Sequence, residues 1–183
     1  MVKAYVMMCC DAGSEIDVIS SLKKIKGVKE VHGTLGLYDL IAQIESDTEE
    51  KIKEVVTNAI RKMKNIHSTV TLTRSESGEL FDTSNKLVGA MLGQNLARAY
   101  VVLYCDKGEE YPTLKNLSHI PEVKEADVVF GYYDVICKVE ASDEKTLDNI
   151  ITKAIRRVPN IKTSMTLNVI NEQESQLLEN PSS

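Results

Sequence analysis

Along residues 3–73 the apolar positions switch between a period of two and a period near 3.6, in the order strand, helix, strand, strand, helix, strand. Ala4 to Cys10 is almost wholly apolar, as expected of a short central strand, and Gly13 ends it. Ile16, Ile19, Leu22 and Ile25 then recur every three residues and predict a helix with one apolar stripe. Val28 to Leu35, rich in β-branched residues, predicts a strand closed by a turn at Gly36. The next strand alternates strictly, with Leu40, Ala42 and Ile44 on one face and Ile41, Gln43 and Glu45 on the other. A second helix follows from Ile52, Val55, Val56, Ala59, Ile60 and Met63, with Asp47 as its cap. A last strand sets Val70 and Leu72 against Thr69, Thr71 and Thr73.

The same pattern returns 95 residues later. Residues 3–73 and 98–168 superpose without a gap, and 26 of the 71 positions are identical. Ala4-Tyr5-Val6 recurs as Ala99-Tyr100-Val101, Val28-Lys29-Glu30 as Val123-Lys124-Glu125, and Gly36-x-Tyr38-Asp39 as Gly131-x-Tyr133-Asp134. Val135, Cys137 and Val139 repeat the inner face of the alternating strand. Tyr111, Leu114, Leu117 and Ile120 repeat the first helix, and Leu147, Ile150, Ile151, Ala154, Ile155 and Val158 the second, with Ser142 as cap. The expected fold is α+β: two tandem ferredoxin-like βαββαβ repeats, each a four-stranded antiparallel sheet with helices on one face, pairing as a dimeric α/β assembly. Residues 1–74 form the first repeat, 75–96 a linker with a short helix from Lys86 to Ala97, 97–170 the second repeat, and 171–183 a flexible tail. The sheet face without helices is expected to carry Ile41, Gln43, Thr69 and Thr71. It is expected to pack against another sheet, because a repeat of about 70 residues struggles to bury an adequate core alone.

Composition narrows the class. Hydrophobic residues make up 43% and charged residues 27%, as in ordinary globular domains. No apolar run reaches the roughly 18 residues of a membrane span, and no signal peptide is evident, so a cytoplasmic location is expected. The net charge of -5 argues against direct nucleic-acid binding. Four cysteines without regular spacing are not a disulfide framework.

The turn Gly36-Leu37-Tyr38-Asp39 and its counterpart Gly131-Tyr132-Tyr133-Asp134 are the leading functional candidates. Glycine, tyrosine and aspartate there serve a hairpin equally well. Read functionally, the aspartates hold a cationic group at the end of the sheet. The ordered set of an A-Y-V strand, a G-V-K-E-V segment, the G-x-Y-D turn and a closing S-T-x-T-L strand resembles the effector-binding domain of the Lrp/AsnC family, in its stand-alone form. The resemblance implies sheet-paired dimers, larger rings and small effectors, often amino acids, bound between dimers. It also implies ligand contacts from Gly36, Tyr38, Asp39, Ser68, Thr69 and Thr71 in one copy. The other copy would use Gly131, Tyr133, Asp134, Thr163, Ser164 and Thr166. The family's full-length regulators place a DNA-binding helix-turn-helix before this domain; with the first strand starting at residue 3 none is expected here, so the implied role is regulation through a DNA-binding partner.

Two other chemistries compete. Met7-Met8-Cys9-Cys10 and the histidines suit copper or zinc, with His32, His67 and Cys10 the candidate ligands. Strand alternation divides the sulfurs between two faces, and the counterparts of His32 and His67 are Asp127 and Lys162, so no cofactor is the first expectation. Some ferredoxin-like dimers are small monooxygenases, but no metal triad, phosphate loop or nucleophile motif occurs here. The protein is therefore expected not to be an enzyme.

Overall fold

The computed structural model describes residues 1–75 and 96–171. The expected linker helix lies outside them up to residue 95, and its last expected residue, Ala97, opens a strand instead; most of the expected tail also lies outside them. The chain divides into two units, residues 1–74 with 169–183, and residues 75–168. In the first unit β1 (Val2–Cys10), α1 (Glu15–Lys23), β2 (Val28–Leu35), β3 (Leu40–Ser46), α2 (Glu49–Val55) and β4 (Ile66–Arg74) follow one another. The strands pair antiparallel in the order β4-β1-β3-β2. The second unit repeats this with β5 (Ala97–Cys105), α3 (Glu110–Ser118), β6 (Val123–Phe130), β7 (Val135–Ala141), α4 (Glu144–Lys153) and β8 (Ile161–Val169), ordered β8-β5-β7-β6. The ferredoxin-like repeat therefore occurs twice, as its periodicity predicts. Among the described residues no helix is long and apolar enough to cross a membrane, and the four cysteines are free thiols.

The core of each unit lies between sheet and helices. Ala4, Val6, Met8, Leu40, Ala42 and Ile44 meet Val18, Leu22, Ile52, Val56 and Ile60 in the first. Leu103, Val135, Cys137 and Val139 meet Leu114, Leu117, Leu147, Ile151 and Ile155 in the second. Cys137 lies so deep that burial pushes its thiol up to about 12, which makes it a hydrophobe rather than a nucleophile. The second helix of each unit caps one residue later than expected: Thr48 Oγ1 accepts from Lys51 N–H at 3.3 Å, and Asp143 Oδ1 from Thr146 N–H at 2.7 Å. After Val55 the helix widens into a π turn over Val56–Ile60, which Arg61 N–H closes on Val56 O at 2.9 Å. In the second unit the helix stays α-helical to Lys153 and then tightens into a 3₁₀ turn over Ile155–Arg157.

The register corrects the expected composition of the helix-free face. Thr69 lies opposite Met8 and Thr71 opposite Val6, both core residues, so these threonines face the helices. Val70 and Leu72 lie opposite Met7 and Tyr5 and share the other face with Ile41 and Gln43. That face is buried as well: Tyr5, Met7, Ile41 and Leu72 are at most 2% exposed. Apolar content cannot orient a strand when both faces are covered.

The units do not end where the repeats end. Ile170 N–H donates to Gly33 O at 2.9 Å within the first unit, and Ser75 N–H to Val128 O at 2.9 Å within the second.

Candidate functional site

The β2–β3 turn is shaped by Gly36, whose φ of 152° lies outside the range comfortable for other residues. Thr34 N–H donates to Asp39 O at 2.8 Å, and Thr34 Oγ1 to Tyr38 O at 2.9 Å, which closes the hairpin. Asp39 N–H then donates to Met8 O at 2.8 Å, and Asp39 Oδ2 accepts from Cys10 N–H at 2.9 Å. The turn is thereby locked onto the end of β1. The second unit reproduces the arrangement. Gly131 has φ 142°, Asp134 N–H donates to Leu103 O at 2.9 Å, and Asp134 Oδ2 accepts from Cys105 N–H at 2.9 Å. Both aspartates are half-buried, and each turns one oxygen to the backbone.

On the other side of β1 runs β4. Ser68 lies opposite Cys9 and Thr69 opposite Met8, so Gly36, Tyr38, Asp39, Ser68 and Thr69 gather around one end of the sheet. Gly131, Tyr133, Asp134, Thr163 and Ser164 do the same around Leu103 and Tyr104. The hydroxyls split between faces. Ser68 and Thr163 share the helix-free face, whereas Thr69, Thr71, Ser164 and Thr166 face the helices. Thr69 Oγ1 accepts from Arg61 Nε at 3.0 Å. Thr71 and Thr166 lie deeper along their strands, their hydroxyl oxygens buried without a hydrogen bond among the described residues.

Several neighbours of the turn differ between the copies. Cys9 Sγ donates to Leu37 O at 3.4 Å. Its counterpart Tyr104 packs on Tyr133 with ring centroids 4.8 Å apart, and Tyr133 Oη donates to Met165 Sδ at 3.5 Å. The thiols of Cys10 and Cys105 are raised chiefly by burial, which the hydroxyls of Ser14 and Thr113 partly offset. The signal for Tyr104 was present in the sequence, but as a difference between the copies rather than a match.

His32 and His67 are not brought together. They sit on β2 and β4, the two edges of the first unit's sheet, three strand spacings or about 14 Å apart. A single ion cannot bridge that span. His32 bonds Glu30 at 3.3 Å, and His67 bonds Asp11. The counterpart of the latter pair is Lys162 with Asp106 at 3.8 Å, so in both copies a nitrogen-bearing side chain of the last strand pairs with this acidic loop residue. Among the described residues no three His, Cys, Asp or Glu side chains could hold a metal ion.

The chain has known relatives. The sequence profile of the Lrp/AsnC ligand binding domain matches residues 98–176. A hypothetical protein, PHS023 from Pyrococcus horikoshii, is 37% identical over 41% of this chain and 90% of its own, with a TM-score of 0.40. The chain belongs to the Lrp/AsnC ligand-binding domain family, and the domain is a small-effector-binding regulatory one. No curated protein matches. Likeness over the greater part of the chain comes from more distant structures. The siroheme decarboxylase NirDL covers 92% of this chain and 71% of its own at a TM-score of 0.65 and 9% identity. A putative monooxygenase from Lactobacillus acidophilus covers 92% of each chain at 0.54 and 8% identity. These likenesses show the fold. They also correct the expectation that the protein is not an enzyme, since these two structures, which share the fold over almost the whole chain, bear the names of enzymes. Missing catalytic motifs are no ground for excluding catalysis on this scaffold.

Proposed function

We propose that the protein is a regulator that binds an amino acid, or a similar small polar molecule, at the Gly-x-Tyr-Asp end of each sheet. It passes that signal to a DNA-binding partner and self-associates in doing so. The observation that carries this reading is the duplicated aspartate. Asp39 and Asp134 each have one carboxylate oxygen anchored on a strand-end amide. The other oxygen carries no hydrogen bond among the described residues and remains an acceptor for an ammonium group. Ser68 and Thr163, across the strand end, supply hydroxyls for a carboxylate. Such a site fixes its acceptor before the ligand arrives, so little ordering is needed on binding.

A thermal-shift screen of the standard amino acids, alongside copper, zinc and nickel salts, tests the reading. A molecule that binds only the native state raises the melting temperature, by the equivalent of about 2.7 kcal/mol at a hundredfold excess over Kd. Stabilisation by one or a few amino acids is expected. Stabilisation by a metal alone overturns it. The net charge of -5 supports action through a partner. A footprint on duplex DNA from this chain alone would remove that part of the proposal.

A further inference from the structure

The two copies differ in what surrounds their shared aspartate. In the second unit, Tyr104 and Tyr133 form a tilted ring pair 4.8 Å apart, and Tyr133 leans its hydroxyl on the Met165 sulfur. Phe130 and Tyr132 flank Gly131 on the same turn and are 67% and 72% exposed. Four aromatic side chains thus belong to one turn and the neighbouring strand end. The equivalent residues of the first unit are Cys9, Tyr38, Leu35 and Leu37, with Val70 in place of Met165. Only one of those is aromatic.

We propose that the second unit's site takes a molecule carrying an aromatic ring, foremost an aromatic amino acid, whereas the first takes a smaller aliphatic one. The inference rests on the reading of the aspartates as ammonium acceptors. Aromatic rings attract one another in tilted and offset arrangements at centroid separations of about 4.5–7 Å, and the Tyr104–Tyr133 pair already lies in that range. It is one ordered wall. The exposed Tyr132 ring supplies apolar surface that a ligand ring would cover, and the Met165 thioether is a soft, polarisable neighbour of the same wall. Asp134 takes the ammonium, so the amino acid head is held at the strand end with its side chain toward the tyrosines. In the first unit the thiol of Cys9 is turned to Leu37 O, and apart from Tyr38 the turn carries the aliphatic Leu35 and Leu37.

The chain contains no tryptophan, so L-tryptophan is its own reporter when excited beyond the tyrosine band. Fluorescence anisotropy on the intact protein should show one L-tryptophan per chain. Calorimetry should show L-leucine binding that site about tenfold more weakly, as a single aromatic contact implies. The Tyr104→Leu/Tyr132→Leu variant should lose the preference for L-tryptophan, with its circular dichroism spectrum unchanged. L-leucine binding both units while L-tryptophan binds neither would overturn aromatic selection and leave the amino-acid reading standing. Unaltered L-tryptophan affinity in the folded double variant would also overturn it. Failure of every amino acid to bind would remove the parent reading, and this inference with it.

Discussion

Asp39 and Asp134 combine two roles that one substitution separates. Asparagine in either place still offers an oxygen to the Cys10 or Cys105 amide but carries no charge. Asp39→Asn with Asp134→Asn should therefore weaken amino-acid binding by at least about tenfold, as expected for loss of a charge-assisted hydrogen bond. The melting temperature of the free protein should barely move. Titration calorimetry together with thermal denaturation checks both halves, and equal affinity in the double variant would assign the aspartates wholly to the turn. Duplication made these residues stand out in the sequence, since they persist in both copies together with the glycine and tyrosine of the same turn. The hydroxyls were less legible. Ser68 and Thr69 alternate along one strand, and nothing in a run of serine, threonine and valine reveals which of its faces will meet the helices.

At the scale of elements, the connection from α1 into β2 is tight in the first copy. Gly27 has φ +98°, and a Cβ there would lie 3.0 Å from the carbonyl oxygen of Glu45. Gly27→Ala should cost at least about 1 kcal/mol, visible as a lower urea midpoint with an unchanged m-value. Glu122 occupies the equivalent place in the second copy, accepting from Glu140 N–H at 2.9 Å, so that connection tolerates a side chain. The helix starts were legible to within one residue, because Asp47, Thr48, Ser142 and Asp143 are all competent caps and only the backbone decides among them. Asp143 is held below the usual carboxylate range, first by the Thr146 amide. A lowered folded pKa means that this cap's contribution is complete above about pH 4 and is lost as pH falls through the folded value. The melting-temperature difference between the parent and Asp143→Ala should accordingly be constant near neutrality and shrink in acid.

For the whole molecule, repetition exposed the architecture more clearly than any single element. Two copies of one pattern excluded alternatives that each copy alone would have left open. The division into units was not legible, because it depends on single backbone bonds beyond the ends of the repeats. Residues 1–74 alone lack Ile170, whose amide bonds Gly33 O and whose side chain lies 3.6 Å from where a Gly33 Cβ would stand. Light scattering and denaturation of that fragment should show self-association or a lower melting temperature than the full chain. A stable, monodisperse monomer would show that the segment adds nothing. The same feature bears on synthesis. A ribosome making about 5–20 residues per second releases β2 several seconds before Ile170 exists. Throughout that interval the outer edge of the nascent first sheet presents unpaired amides and carbonyls, the kind of template on which neighbouring nascent chains pair wrongly. Slow translation should therefore harm the yield of this protein more than that of one whose first unit is complete within its first stretch of chain.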